Sequence, residues 1–381
     1  MATFIARPNL VLGLAAGWLA LSGCIASGTR TRTPPDQTAT DIDQWNRLAA
    51  RLDGGRTVFR DTGIGGATGV GNQLYWLDTS AFNPVLNRYD HPTGAKIRYG
   101  FSIGDSDLWN YRASGALVVT ADPLAAPVEY HAYDANATAT ELAATTLANP
   151  LLAGTRWAAY AVSDGTVYFV DDGTPGATAL LKWVPGQGAP PAQVTTLESA
   201  GAQIGSFEDF GVSGDTMVFI ETGRIWKLSI SANRAVWLGN TTEVSGDVDL
   251  ADDGVMFSTA SGLMFFSYAT NALTNVSDRI DANPYQINAT YASAAKYVQD
   301  FSRYKGYVLY IGQYGLFGYD LAKDVIVPIL LSPNSSTLRI DYQTPVALDD
   351  GTAFVVGLTS TDGAVGADGP TYEVDLTTLL P

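Results

Sequence analysis

Ser213-Gly214-Asp215-Thr216-Met217-Val218-Phe219-Ile220-Glu221-Thr222-Gly223-Arg224-Ile225-Trp226-Lys227-Leu228-Ser229-Ile230 sets the grammar of the chain. Gly214-Asp215 is a turn signal and Met217 to Ile220 an apolar run. Thr222-Gly223 is a second turn, and Ile225 to Ile230 alternates apolar with polar. This reads as two short strands joined by a tight turn.

The same grammar returns along the chain. Gly71 leads into Asn72 to Leu77 and then Val85 to Asp90. Gly115 leads into Ala116 to Val119 and Val128 to Asp134. Asp164-Gly165 leads into Thr166 to Val170 and Leu180 to Val184. Asp253-Gly254, Lys305-Gly306 and Asp350-Gly351 open three more units, with second runs at Leu263 to Asn271, Leu316 to Asp320 and Tyr372 to Leu376. The seven glycines Gly71, Gly115, Gly165, Gly214, Gly254, Gly306 and Gly351 stand between 40 and 52 residues apart. That is the period of a four-stranded propeller blade. Each unit has a strand before its glycine, two after it, and room for an outer fourth.

One blade cannot bury both of its faces, so blades stack around an axis and bury one another's apolar strands. The expected fold is therefore all-β, a seven-bladed β-propeller over residues 56–381. A generic β-sandwich would have to produce seven units in register by chance. The ring must also close, yet little chain remains after Leu376 to supply a last outer strand. Thr57-Val58-Phe59-Arg60 is one candidate for that strand. The alternative makes those four residues the innermost strand of the first blade.

Ahead of the repeats, Arg7 is the one charged side chain before Cys24, and Leu10 to Leu21 is apolar apart from Gly13 and Gly17. This has the length of a signal-peptide core and is short for a bilayer span. It ends in Leu21-Ser22-Gly23-Cys24, which resembles the lipobox of bacterial lipoproteins. The resemblance implies cleavage after residue 23 and a lipid on Cys24, hence an envelope protein anchored to a membrane. Ile25, in place of an Asp that would retain it at the inner membrane, leans towards the outer one. Cys24 is the single cysteine, so neither an internal disulfide nor a cysteine metal cluster can form. Residues 24–39 read as a flexible tether rich in Ser, Thr, Arg, Gly and Pro. Residues 40–55 read as a short helix, with Ile42, Trp45, Leu48 and Leu52 on one face.

The formal charge is −16, or −17 once a leader carrying Arg7 is removed. A domain this acidic repels polyphosphate, which disfavours nucleic acid as a partner.

Val162 to Val170 followed by Leu181 to Gly188 is similar to the blades of secreted bacterial propeller proteins. Tyr89-Asp90-His91-Pro92-Thr93-Gly94-Ala95-Lys96-Ile97 is similar to one quinoprotein-type repeat, a repeat that also builds the propeller lipoprotein of outer-membrane β-barrel assembly. The Trp that follows in that repeat is missing here, and no quinone cofactor is expected. The resemblance implies a scaffold role in the envelope by analogy.

Catalysis by a Ser-His-Asp triad needs a histidine base. The chain has two, His91 and His131. Both fall at or just after third strands, far from the axis, and read as ordinary polar strand positions. The carboxylates form a pattern. Asp209 and Asp249 stand five residues before Gly214 and Gly254, and Asp300 stands six before Gly306, with Glu208 and Asp247 beside them. An Asp near the start of successive inner strands would gather acids at one mouth of the channel. Such a cluster suits calcium or a cationic group of a partner, or acid–base work on a glycoside. It is also what local turn capping would produce. Asp171-Asp172 and Asp349-Asp350 read as turn residues. Trp109, Tyr285 and Tyr291 are candidate binding aromatics, the last two on a long connection from Ser277 to Ala295. The expectation is a binding or scaffold module for an envelope protein or a glycan, with no catalytic residues and no cofactor unless calcium. The alternative is a carbohydrate-active hydrolase or lyase using the axial acids.

Overall fold

Two-residue connections join the first two strands of each of the first six four-stranded sheets. At Asp164-Gly165 both residues have positive φ, 49° and 72°, which glycine adopts freely and aspartate tolerates. The computed structural model describes residues 64–78, 85–102, 111–122, 125–138, 140–148, 150, 152–153, 157–158, 160–174, 177–241, 248–251, 253–259, 261–282, 301–312, 315–331, 339–361, 364–365 and 371–380. The residues read as a leader, Cys24, those read as a tether (24–39) and as a short helix (40–55), and Thr57 to Arg60 lie outside them, as do Trp109, Asp247, Tyr285, Tyr291 and Asp300.

The first blade is β1 (Ile64–Val70), β2 (Gln73–Asp78), β3 (Val85–Asp90) and β4 (Ala95–Ser102). The second is β5 (Tyr111–Ser114), β6 (Leu117–Asp122), β7 (Val128–Asp134) and β8 (Glu141–Leu147). A small hairpin, β9 (Leu152–Ala153) with β10 (Trp157–Ala158), precedes the third blade. That blade is β11 (Tyr160–Ser163), β12 (Thr166–Thr174), β13 (Ala177–Trp183) and β14 (Ala192–Thr196). The fourth is β15 (Phe207–Ser213), β16 (Thr216–Glu221), β17 (Arg224–Ser229) and β18 (Arg234–Asn240). The fifth is β19 (Asp249–Ala251), β20 (Gly254–Thr259), β21 (Gly262–Ser267) and β22 (Ala272–Asn275), followed by helix α1 (Val276–Ala282). The sixth is β23 (Phe301–Tyr304), β24 (Tyr307–Gly312), β25 (Gly315–Asp320) and β26 (Val325–Leu331). Each of these six is an antiparallel meander in sequence order.

The seventh blade differs. Its β27 (Arg339–Ala347) pairs with β28 (Thr352–Thr361), and β28 pairs with β30 (Thr371–Asp375). The two-residue β29 (Ala364–Val365) only extends the far end of β28. Helix α2 (Leu376–Leu379) follows, its N terminus capped by Asp375. No outer fourth strand is present among the described residues. The innermost place in the first blade belongs to β1, so the reading of residues 57–60 as that strand is corrected.

Seven hydrophobic clusters fill seven gaps, one between each neighbouring pair of blades. This explains why the second strands read as unbroken apolar runs. In β16, Met217 and Phe219 face blade three while Val218 and Ile220 face blade five, and all four are fully buried. Each large side chain so placed contributes about 2–3 kcal/mol relative to exposure. The last gap joins Leu74 and Trp76 of blade one to Val346, Leu348 and Phe354 of blade seven, which closes the ring. On the outer strands, single-residue slips leave Leu142, Val194, Leu238 and Ile329 as bulge residues. Bulges twist an edge away from foreign strands.

Two further sequence readings are revised. Asp171 and Asp172 lie within β12, which runs on to Thr174, so they are not turn residues. The long connection after blade five begins as α1, where the Asn275 side chain accepts the Asp278 N–H at 3.1 Å. Asn275-Val276-Ser277-Asp278, a cap with an acid in the first turn, was a legible helix start. Tyr304, Tyr307, Tyr310 and Tyr319 pack between blades.

Candidate functional site

The inner strands β1, β5, β11, β15, β19, β23 and β27 start on one face of the ring and run to the glycine turns on the other. Neighbours such as β15 and β19 lie side by side around the axis. At Gly211 the approach is so close that a β-carbon would strike Leu250 and lie 3.0 Å from the Val248 carbonyl oxygen.

The starts of β15 and β19 carry the predicted acids that fall among the described residues. Pairing in β15 slips between Phe207↔Glu221 and Asp209↔Ile220, leaving Glu208 as the extra residue. The slip turns Glu208 towards the second hairpin turn, and its Oε1 accepts the Gly223 N–H at 2.9 Å. Asp209 is half-buried, and its Oδ1 accepts the Phe210 N–H at 2.8 Å. Side chains alternate along a strand, so the geometry that aims Gly211 at blade five puts Asp209 on the same side. Asp249, also half-buried, opens β19 opposite Met256. Leu250 packs back against blade four, so Asp249 takes the side towards blade six. The two acids therefore recur once per blade on the forward side of each strand. They do not face each other across one gap. Among the described residues no group of three or more His, Cys, Asp or Glu side chains is arranged to hold a metal ion.

Behind Glu208 lies a residue that the sequence reading missed. Glu221 ends β16 fully buried. Its Oε1 meets Arg224 Nε at 2.5 Å and accepts the Trp226 indole N–H at 3.1 Å, and its Oε2 accepts the Gly205 N–H at 2.9 Å. Arg224 in turn donates to the Gln203 carbonyl at 2.9 Å. A buried carboxylate is tolerable only with such partners. The signal was present: Glu221 and Arg224 flank the two-residue Thr222-Gly223 turn, which makes them directly opposed. The network fixes that turn, and with it Glu208, at the mouth where the inner strands begin.

Both histidines lie away from this mouth and are engaged by carboxylates. His131, in β7, has Nδ1 2.8 Å from Glu141 and Nε2 3.6 Å from Glu129, as a polar strand residue would. His91 departs from the expectation. It follows β3 in a turn and reaches across to blade seven, with Nδ1 2.6 Å from Asp350 and Nε2 3.4 Å from Glu373. On the same face, Arg303 of β23 forks onto Asp253 at 2.7 and 2.9 Å and lies over the Phe265 ring, tying blade six to blade five.

No protein-family model and no curated protein matches the sequence. Among solved structures, the chain is similar to a component of a nidogen/laminin complex at 14% identity and a TM-score of 0.38, over 56% of this chain and 79% of that one. It is similar to a prolyl endopeptidase at 11% identity and a TM-score of 0.48, over 90% of this chain and 56% of that one. BamB from Moraxella catarrhalis is similar at 15% identity and a TM-score of 0.41, over 82% and 85% of the two chains.

Proposed function

We propose that the protein is a lipid-anchored β-propeller of the bacterial envelope that acts as a binding or scaffold module. Its binding face is the mouth where the inner strands begin. The observation that carries this reading is the acid repeated by the blades at that mouth, with Glu208-Asp209 and Asp249 on successive blades of a strongly acidic chain. A rim of this kind suits a basic segment of a protein partner, or a glycan held by carboxylate hydrogen bonds. The anchor is the lipid on Cys24, and the outer membrane is the proposed location. Both histidines lie outside the mouth, so chemistry that needs a histidine base there is not part of this reading.

The test uses the full chain in a bacterial host. Lipid labelling is expected on the wild type and absent from Cys24→Ser, which should leave the membrane fraction. Cross-linking in the envelope should recover a stoichiometric partner or glycan. A double Asp209→Asn, Asp249→Asn variant that still folds should lose it. Recovery unchanged in the double variant would remove the mouth from the proposal, and an unlipidated protein released to the medium would remove the anchor. Turnover of a glycan that the double variant abolishes would replace the scaffold reading with the enzymatic one.

A further inference from the structure

The seam between the first and last blades is built differently from the other six. Among the described residues blade seven has three radially ordered strands, β27, β28 and β30, and beyond the apolar packing of Leu74 and Trp76 on Val346, Leu348 and Phe354 the seam is joined by polar contacts on the turn face. The Asp349 N–H donates to the Gly71 carbonyl at 2.9 Å, and the Asp350 N–H donates to the Asn72 side chain at 2.9 Å. His91 is tied to the same turn, its N–H donating to the Asn72 carbonyl at 3.1 Å. Its ring lies edge-on to Tyr89 of its own blade and to Phe354 of blade seven.

The imidazole stands between two carboxylates of blade seven, Asp350 from the β27–β28 turn and Glu373 from β30. Thr352 places its hydroxyl 3.5 Å from Nδ1. From blade one the nearby polar groups are Tyr89 and Asp90 of β3, and Asp90 is occupied by the Thr93 hydroxyl. A neutral imidazole has one N–H and one bare nitrogen. Only the imidazolium can donate to both carboxylates at once.

We propose that His91 is a proton-dependent clasp on the propeller ring, holding blade one to blade seven while protonated and giving up that hold when it loses its proton. Partial burial pulls the imidazole pKa down, but the hydrogen bond and charge of Asp350, followed by those of Glu373, outweigh it and leave the value raised above 6.5. A raised folded value means that the clasp is complete below about pH 6.5 and is lost as pH rises through the folded value. Asp350 works in the opposite sense. Burial pushes its carboxyl up, but the Thr352 N–H and His91 outweigh that and hold it below 3.8. Its contribution is present above about pH 3.8 and lost as pH falls through the lower folded value. The seam is therefore tightest between about pH 4 and 6.5.

Two histidines in the whole chain make the test direct. Imidazole NMR titration of the full chain, with signals assigned by His91→Gln and His131→Gln, is expected to place His91 above 6.5. Glu373→Gln should lower that midpoint. Hydrogen exchange at Asp349 and Asp350, corrected for intrinsic base catalysis, should accelerate between pH 6 and 8 relative to Thr222 and Ala235 in blade four. The acceleration is at most about tenfold for each unit by which the folded pKa exceeds the unfolded one. His91→Gln should abolish this local pH dependence and His131→Gln should keep it. A His91 midpoint at or below 6.5, or one unmoved by Glu373→Gln, overturns the clasp even if His91→Gln fails to fold. So does a pH dependence at the seam that survives in His91→Gln.

Discussion

Gly69 of the first blade and Ala347 of the seventh approach so closely that a β-carbon on Gly69 would lie 2.6 Å from the Ala347 carbonyl oxygen. Val346 and Leu348 crowd the same point. The obstacle is backbone, so Gly69→Ala must push the first and last inner strands apart. We expect a loss of about 1–3 kcal/mol, the usual cost of overpacking. Gly71→Ala is the contrast. It sits in open space with φ of 58°, so only left-handed strain of about 1–2 kcal/mol applies. Urea unfolding distinguishes the two causes when read together with seam hydrogen exchange: Gly69→Ala should deprotect Asp349 and Gly71→Ala should do so less.

Glu221 should be among the costliest polar residues to remove. Glu221→Ala leaves the Trp226 indole N–H, the Gly205 N–H and Arg224 without their acceptor. The expected loss is about 3–5 kcal/mol by denaturant unfolding. Glu221→Gln keeps an acceptor oxygen and should cost less. Equal losses in the two variants would mean that charge, and not hydrogen bonding, holds the Thr222-Gly223 turn.

The acid limb of the stability profile should depend on Asp320. Its Oδ1 accepts the N–H groups of Ala322 and Lys323, each at 3.0 Å, and its Oδ2 pairs with Lys323 Nζ at 3.0 Å. Burial pushes the carboxyl up, but those bonds outweigh it and the net shift is below 3.8. Its stabilisation is thus present above about pH 3.8 and lost as pH falls through the lower folded value. Asp320→Asn should be less stable at pH 7 and should lose less on going from pH 5 to 2.5. Parallel wild-type and variant curves across that range would contradict this.

Bulk and exposure should separate cleanly around the ring. Phe219 is fully buried between blades three and four, and Phe219→Ala should cost about 3–5 kcal/mol. Trp237 on the outer strand of blade four is 53% exposed, so Trp237→Lys should change stability by no more than about 0.5 kcal/mol. Phe257 fills a different gap from Phe219, and the two Ala substitutions should add to within about 0.5 kcal/mol.

The repeat was legible because turns and apolar runs are short-range features. Asp164-Gly165 needs a left-handed backbone at two adjacent positions, and few residue pairs permit that. Met217 to Ile220 reads as a strand buried on both sides because four consecutive apolar side chains leave no solvent face. The candidate site was legible only in outline. Asp209 and Asp249 could be placed at strand starts by counting, but the slip that turns Glu208 onto Gly223 depends on a one-residue choice of register. Glu221 was missed because a lone Glu between an apolar run and a turn normally points to water.

From the chain alone came the seven-fold period, the place of each hairpin turn and the strands that had to be buried on both sides. Each turn and each apolar run is set by residues close together in sequence, and the period is their recurrence along the chain. The tertiary structure decided how the ring shuts: β1 in the innermost place, Gly69 against Ala347, and His91 between Asp350 and Glu373, with His91 and Asp350 259 residues apart in sequence. No local pattern encodes such a contact. It exists only because seven similar wedges turn through a full circle and bring the last one back to the first.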